Sequence, residues 1–183
     1  MKRLALFPLL ALALAACSSD PATSPMPGRG PRLALSTIDE NAPNGTHIQT
    51  GTPGCAVSGL DISCSSYELA GVGNANAQAD LHANYSATVD CRNHGKQVVE
   101  VKAQVRGASV STGELEPKNG RLQVPALSTG GDLPSNEEFE DGATCPNGNW
   151  TKEVRGGSAS LDGFTYTLAF VGFPPSYITI TGP

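Results

Sequence analysis

Leu81, Ala83, Tyr85, Ala87, Val89 and Cys91 alternate with His82, Asn84, Ser86, Thr88 and Asp90. A period of two sends successive side chains to opposite faces of an extended chain, so this stretch predicts a half-buried β-strand. Val99, Val101, Ala103 and Val105 repeat the pattern against Glu100, Lys102, Gln104 and Arg106, as do Phe164, Tyr166, Leu168 and Phe170 against Thr165, Thr167 and Ala169. Shorter strands are predicted at 60–70, 121–126, 150–155 and 177–181. Turn-forming runs separate them: Gly71-Val72-Gly73-Asn74, Asn93-His94-Gly95, Pro117-Lys118-Asn119-Gly120, Gly130-Gly131-Asp132, Pro146-Asn147-Gly148 and Pro174-Pro175. No eleven-residue window carries a helical stripe. About seven short strands with frequent turns predict an all-β fold, and because each strand buries one face, two sheets stacked about 10 Å apart satisfy one another. The expected architecture is an antiparallel, immunoglobulin-like β-sandwich. The antibody signature itself is absent, since Trp150 follows Cys145 instead of standing between Cys91 and Cys145.

The pattern changes at the start of the chain. Lys2 and Arg3 precede thirteen apolar residues, 4–16, ending in small ones, which is the layout of an export signal. The run is too short to span a bilayer, which takes about 20 apolar residues. Leu14-Ala15-Ala16-Cys17 resembles the lipobox of bacterial lipoproteins. The resemblance implies that 1–16 are a signal peptide, that the Cys17 thiol takes a diacylglyceryl group, and that Cys17 becomes the first residue of a membrane-anchored, extracytoplasmic chain. An ordinary secretory signal with an incidental cysteine is the alternative. Ser18 stands where an Asp would resemble an inner-membrane retention mark, so the outer membrane is expected if the cell has one.

Beyond Cys17 the residues up to Pro31 are rich in Ser, Pro, Gly and Thr and supply no core. We expect 17–44 to be a lipidated flexible tether, on the order of 30 Å as a coil and about 90 Å extended, and 45–183 to be the β-sandwich domain. Leu33 and Leu35 offer an alternative start for a first strand. A second resemblance, carried by Leu69-Ala70-Gly71-Val72-Gly73-Asn74, the strand running to Cys91-Arg92-Asn93-His94-Gly95 and a cysteine downstream, is to a domain of uncharacterised exported bacterial proteins. It covers about 60–172 and implies location and β architecture only.

Charge and cysteines narrow the functional classes. Without Lys2 and Arg3 the chain has 10 basic against 17 acidic residues, a formal −7, and the basic residues are dispersed among acids. Nucleic acid is therefore not an expected partner, because a polyphosphate needs a dense basic face. With Cys17 committed to lipid, Cys55, Cys64, Cys91 and Cys145 remain, an even number in a compartment that permits disulfides. Of three possible pairings, Cys55–Cys64 across a turn at Ser58-Gly59, with Cys91–Cys145 clamping the two sheets, is the one expected. A four-cysteine zinc site lacks the close paired spacing such sites use.

Candidate chemistry is sparse. The glycine-rich stretch 71–76 lacks the following helix that a phosphate loop requires, and no Gly-x-Ser-x-Gly elbow occurs. His47, His82 and His94 share no metal-ligand spacing. Asp90, Cys91 and His94 together suggest an activated thiol, against which stands a structural disulfide at Cys91. Glu137, Glu138, Glu140 and Asp141 form an acidic run expected to be a solvated loop, without the alternation and glycine of a calcium loop. Most of Trp150, Phe164, Tyr166, Phe170, Phe173 and Tyr177 are expected in the core. The exception is Phe173-Pro174-Pro175-Ser176-Tyr177, where two prolines predict an exposed connection with an aromatic patch. No catalytic residue, metal or cofactor is assigned. The expected function is a non-enzymatic binding or structural module of the envelope, with a protein or carbohydrate ligand, and an envelope hydrolase is the alternative.

Overall fold

The computed structural model describes residues 35–183. Its elements in chain order are β1 (Leu35–Ile38), β2 (His47–Gly51), β3 (Cys55–Ser58), β4 (Asp61–Cys64), β5 (Tyr67–Ala70), β6 (Ala77–Arg92), β7 (Val98–Leu115), β8 (Arg121–Val124), β9 (Leu127–Ser128), α1 (Asn136–Gly142), β10 (Thr151–Val154), β11 (Ser160–Phe170) and β12 (Phe173–Gly182). The signal region and the proposed lipid site at Cys17 lie outside the described residues.

The fold is antiparallel and β-sandwich-like. Its larger sheet runs β1, β12, β11, β6, β7, and β10 takes up the end of β6 that β11 leaves free, pairing Val89 with Val154 and Arg92 with Thr151. The second layer consists of two three-stranded sheets, β2-β5-β8 and β3-β4-β9. The alternation read from the sequence decides which face meets this layer. Ala77, Ala79, Leu81, Ala83, Tyr85, Ala87, Val89 and Cys91 of β6 are buried. All of these but Cys91 join Phe164, Tyr166, Leu168, Phe170, Ile178 and Ile180 from the same sheet and Ile62, Leu69, Leu122 and Val124 from the other layer in one apolar cluster. Truncating a side chain such as Leu81, Leu168 or Leu69, each with no exposed surface, costs about 2–5 kcal/mol by the usual cavity penalty.

Polar contacts inside the core fall where three tyrosines carry their hydroxyls past the apolar layer. The Tyr67 and Tyr166 hydroxyls meet at 2.9 Å across the core, and the Tyr85 hydroxyl donates to the Leu60 carbonyl at 3.1 Å. Thr129, fully buried, accepts from the Ile62 backbone N–H through its hydroxyl at 2.9 Å and donates its own N–H to the Ile62 carbonyl at 3.0 Å. A buried donor or acceptor left unpaired costs on the order of 1–3 kcal/mol, so each of these tips needs its partner.

Both disulfides form, Cys55–Cys64 and Cys91–Cys145. The first joins directly opposed residues of the β3–β4 hairpin, whose turn uses Gly59 at φ +64°. The second departs from expectation in its role. Cys145 lies between α1 and β10, and β10 pairs with β6 itself, so the bridge ties β6 to the segment that crosses over its end and does not clamp one layer to the other.

Four further expectations are revised. Residues 60–70 are two strands in different sheets, because the chain breaks at Ser65-Ser66. The acidic run is α1, since Ser135 caps it: the Ser135 hydroxyl accepts from the Glu138 N–H at 3.3 Å while the Glu138 carboxylate accepts from the Ser135 N–H at 2.7 Å. Phe139 then anchors the helix in the core. The folded chain starts earlier than 45, as Leu35–Ile38 pair with Ile178–Thr181. Finally, Pro174 and Pro175 lie within β12 instead of in a connection. Leu168 faces Ile178 and Phe170 faces Phe173, so Ala169 alone stands opposite 174–177, and this bulge accommodates residues unable to donate to a ladder.

Candidate functional site

The β12 bulge and the residues after β1 build a cleft at one end of the larger sheet. Beyond Ile38 the chain leaves its ladder but keeps hold of β12, with the Asp39 N–H donating to the Tyr177 carbonyl at 2.8 Å and the Asn41 amide to the Ser176 carbonyl at 3.4 Å. It then turns back through Pro43, whose carbonyl accepts from the Thr46 hydroxyl at 2.7 Å and the Thr46 N–H at 3.1 Å. This return packs so closely on Gly71 that a Cβ there would overlap the Gly45 carbonyl, and Gly71 also holds φ +75°. Only glycine meets both demands. Gly71 of the 69–74 motif therefore serves the packing of the cleft wall at Gly45 and Thr46.

The cleft encloses about 690 Å³. Its lining includes the apolar Ile38, Phe173 and Tyr177 together with the polar Asp39, Glu40 and Asn44. Tyr177 is fixed against Phe170, ring centroids 5.7 Å apart and tilted by 57°, and burial raises its hydroxyl pKa. Ile38 and Phe173 remain 53% and 37% exposed, and Val171 on the adjoining turn 61%. Smaller clefts of about 310, 410 and 400 Å³ lie at Asn84–Gln104, along the Cys55–Cys64 hairpin and beside the Glu68–Arg121 ion pair.

No protein-family model matches the chain, and no curated protein does.

The other sequence candidates are scattered. Cys91 is spent in its disulfide, which removes the thiol from any pairing with Asp90 and His94. His47 lies in β2, bonded at 2.9 Å to the Gly45 carbonyl, and His94 is in the β6–β7 turn. Among the described residues no group of three or more His, Cys, Asp and Glu is placed to hold a metal ion. Of the six aromatic candidates, Phe164, Tyr166, Phe170 and Tyr177 are buried and Phe173 is the exposed one.

One juxtaposition escaped the sequence. The Ser109 hydroxyl lies 3.0 Å from Nδ1 of His82, brought there by the β6–β7 register, which sets the two residues directly opposite. This is the contact of a nucleophile with a base, but both side chains are exposed on the outer sheet face and line none of the clefts described above. A catalytic pair works where water is excluded and donors await the developing oxyanion, and neither condition is met at an open sheet face.

Proposed function

We propose that the chain is a lipid-anchored, extracytoplasmic binding module of a bacterial envelope, without catalytic activity, that seats its ligand in the cleft between Ile38 and Phe173. The lipobox at Leu14-Ala15-Ala16-Cys17 supports the anchor. The cleft supports the binding role: about 690 Å³ lined by the exposed apolar residues Ile38 and Phe173 and by the acidic residues Asp39 and Glu40. Such a lining suits a ligand that presents an apolar face together with cationic or hydroxyl groups, as a lysine-bearing peptide or a sugar does. With β1 starting at Leu35, 17 residues separate it from Cys17. Fully extended they reach about 60 Å, enough to hold the cleft clear of a bilayer surface.

Amide shift mapping of the domain with envelope glycan fragments and with a lysine-rich envelope peptide tests this reading. Shifts confined to 38–46 and 171–177 with one of them, abolished by Phe173→Ser, are the expected result. Binding that maps elsewhere, or none with either class, overturns it. The Ser109–His82 contact keeps a hydrolase as the second reading. A fluorophosphonate probe separates the two: we expect no labelling, and labelling lost in Ser109→Ala would establish the enzyme.

A further inference from the structure

β7 is the outermost strand of the larger sheet, paired only with β6. Its first half is regular, and its register with β6 runs unbroken from Val98↔Arg92 to Arg106↔Asn84. Along this half the backbone groups directed away from β6 have no backbone partner among the described residues. An unpaired ladder of this kind is a template for another strand, and proteins commonly guard it with charged side chains, prolines or bulges. Between Val98 and Gln104 there is neither a proline nor a bulge against β6. Val98 and Val99 are instead 42% and 40% exposed, and the two charges, Glu100 and Lys102, are opposite in sign and two residues apart on one face.

We propose that this edge pairs with the same edge of a second copy of the chain, antiparallel about a two-fold axis at Val101. In that register Glu100 of each copy faces Lys102 of the other, Val99 faces Ala103, and Val101 faces itself. A register one residue lower puts Glu100 opposite Glu100, and one residue higher puts Lys102 opposite Lys102. Like charges directly opposed destabilise a sheet pair, whereas opposite charges and apolar pairs stabilise it. Helix α1 sets the upper limit of the free edge. Gly142 packs over Gln104 and Val105, where a Cβ on it would lie 3.5 Å from the Gln104 carbonyl. The register centred on Val101 stays within 98–104, short of most of that contact. Glu100 already receives Arg155 on Oε1 at 2.6 Å, which leaves its second oxygen for the facing ammonium. Lys102 is held only by Asp162 at 3.7 Å and is largely exposed.

A ladder of seven residues per copy buries less than the roughly 1,000 Å² of a stable interface, so the dimer is weak and concentration-dependent. Sedimentation equilibrium on the chain from Ser18 to Pro183, over a wide concentration range, reads it directly. The mean mass is expected to rise toward twice the monomer. Glu100→Lys and Lys102→Glu each oppose like charges twice per dimer and should weaken association at least tenfold. The charge-exchanged Glu100→Lys/Lys102→Glu chain should recover it, with circular dichroism showing all four proteins equally folded. A chain that stays monomeric throughout, including one that takes up an extended peptide at this edge instead, overturns the proposal. So do single variants that associate as the parent does, or an exchanged chain that fails to recover.

Discussion

Tyr67 and Tyr166 share a polar contact across the core, and its chemistry gives a pH dependence. Burial, and the neighbouring Tyr166 hydroxyl, push the Tyr67 pKa well above the ordinary tyrosine value of about 10. The unfolded chain therefore loses this proton near pH 10 while the folded chain keeps it. The folded state is favoured in full below pH 10, and stability falls as pH rises beyond it. Thermal melts between pH 8 and pH 11 should show that decline, and Tyr67→Phe should make it shallower without abolishing it, because burial raises Tyr85, Tyr166 and Tyr177 as well. At neutral pH the same variant leaves the Tyr166 hydroxyl without its 2.9 Å partner, a loss of about 1–3 kcal/mol that Tyr67→Phe/Tyr166→Phe should partly restore. The disulfides differ in another way. Cys91–Cys145 spans 54 residues and Cys55–Cys64 spans 9, so chain entropy assigns them about 4 and about 3 kcal/mol respectively. The hairpin already limits the shorter loop, and denaturant titration of the two Cys→Ala pairs should find the longer bridge the costlier to lose. The cysteine spacing made both pairings readable. It did not show that Cys145 belongs to the crossing segment, because that depends on where β10 docks.

At the scale of elements, α1 depends on its cap more than on its interior. It is seven residues long with acids in the first turn and no base in the last, too short to hold by propensity alone. Ser135→Ala removes one arm of the capping box and should cost about 1 kcal/mol by denaturant titration. It should also loosen the Gly142 contact with β7. Ser135-x-x-Glu138 was legible as a capping box in the sequence. Seven residues are too few to show a helical stripe, and four acids in one run resemble a solvated loop. β1 presents the opposite case. Four residues carry little pattern, and their strand character comes from the edge that β12 offers at Ile178–Thr181. A fragment beginning at Gly45 lacks β1 and one side of the cleft. It should melt below a fragment beginning at Pro31 and lose binding at 38–46.

For the whole molecule, the anchor and the domain are separable expectations. Cys17→Ala should abolish acylation and move the protein from the membrane to the soluble fraction or to an uncleaved precursor. Fractionation with a labelled fatty acid decides it, and label on the variant would end the lipoprotein reading. The 31–183 fragment should fold cooperatively as a β-rich domain whether or not metal is present. A mainly helical circular dichroism spectrum, or unfolding by a chelator, would contradict that.

The sequence by itself determined what local chemistry determines. Alternation along 81–91, 99–105 and 164–170 marked the strands and their buried faces, since side-chain direction in a strand depends only on the parity of position. Glycine, proline and asparagine runs marked the turns, and short spacing around a turn brought Cys55 to Cys64. Tertiary structure decided what depends on partners distant in the chain. The split of 60–70 between two sheets follows from what each half pairs with. The bulge at 174–177 exists because Ala169 alone stands across from it, and the cleft requires β1 and 39–46 to lie against β12, some 135 residues away. The contact of Ser109 with His82 and the open edge of β7 likewise follow from register and strand order, which no local pattern encodes. Those same long-range pairings assemble the cleft, so the fold class and one wall of the candidate site, at Phe173 and Tyr177, were readable from the sequence, while the wall at 38–46 was not.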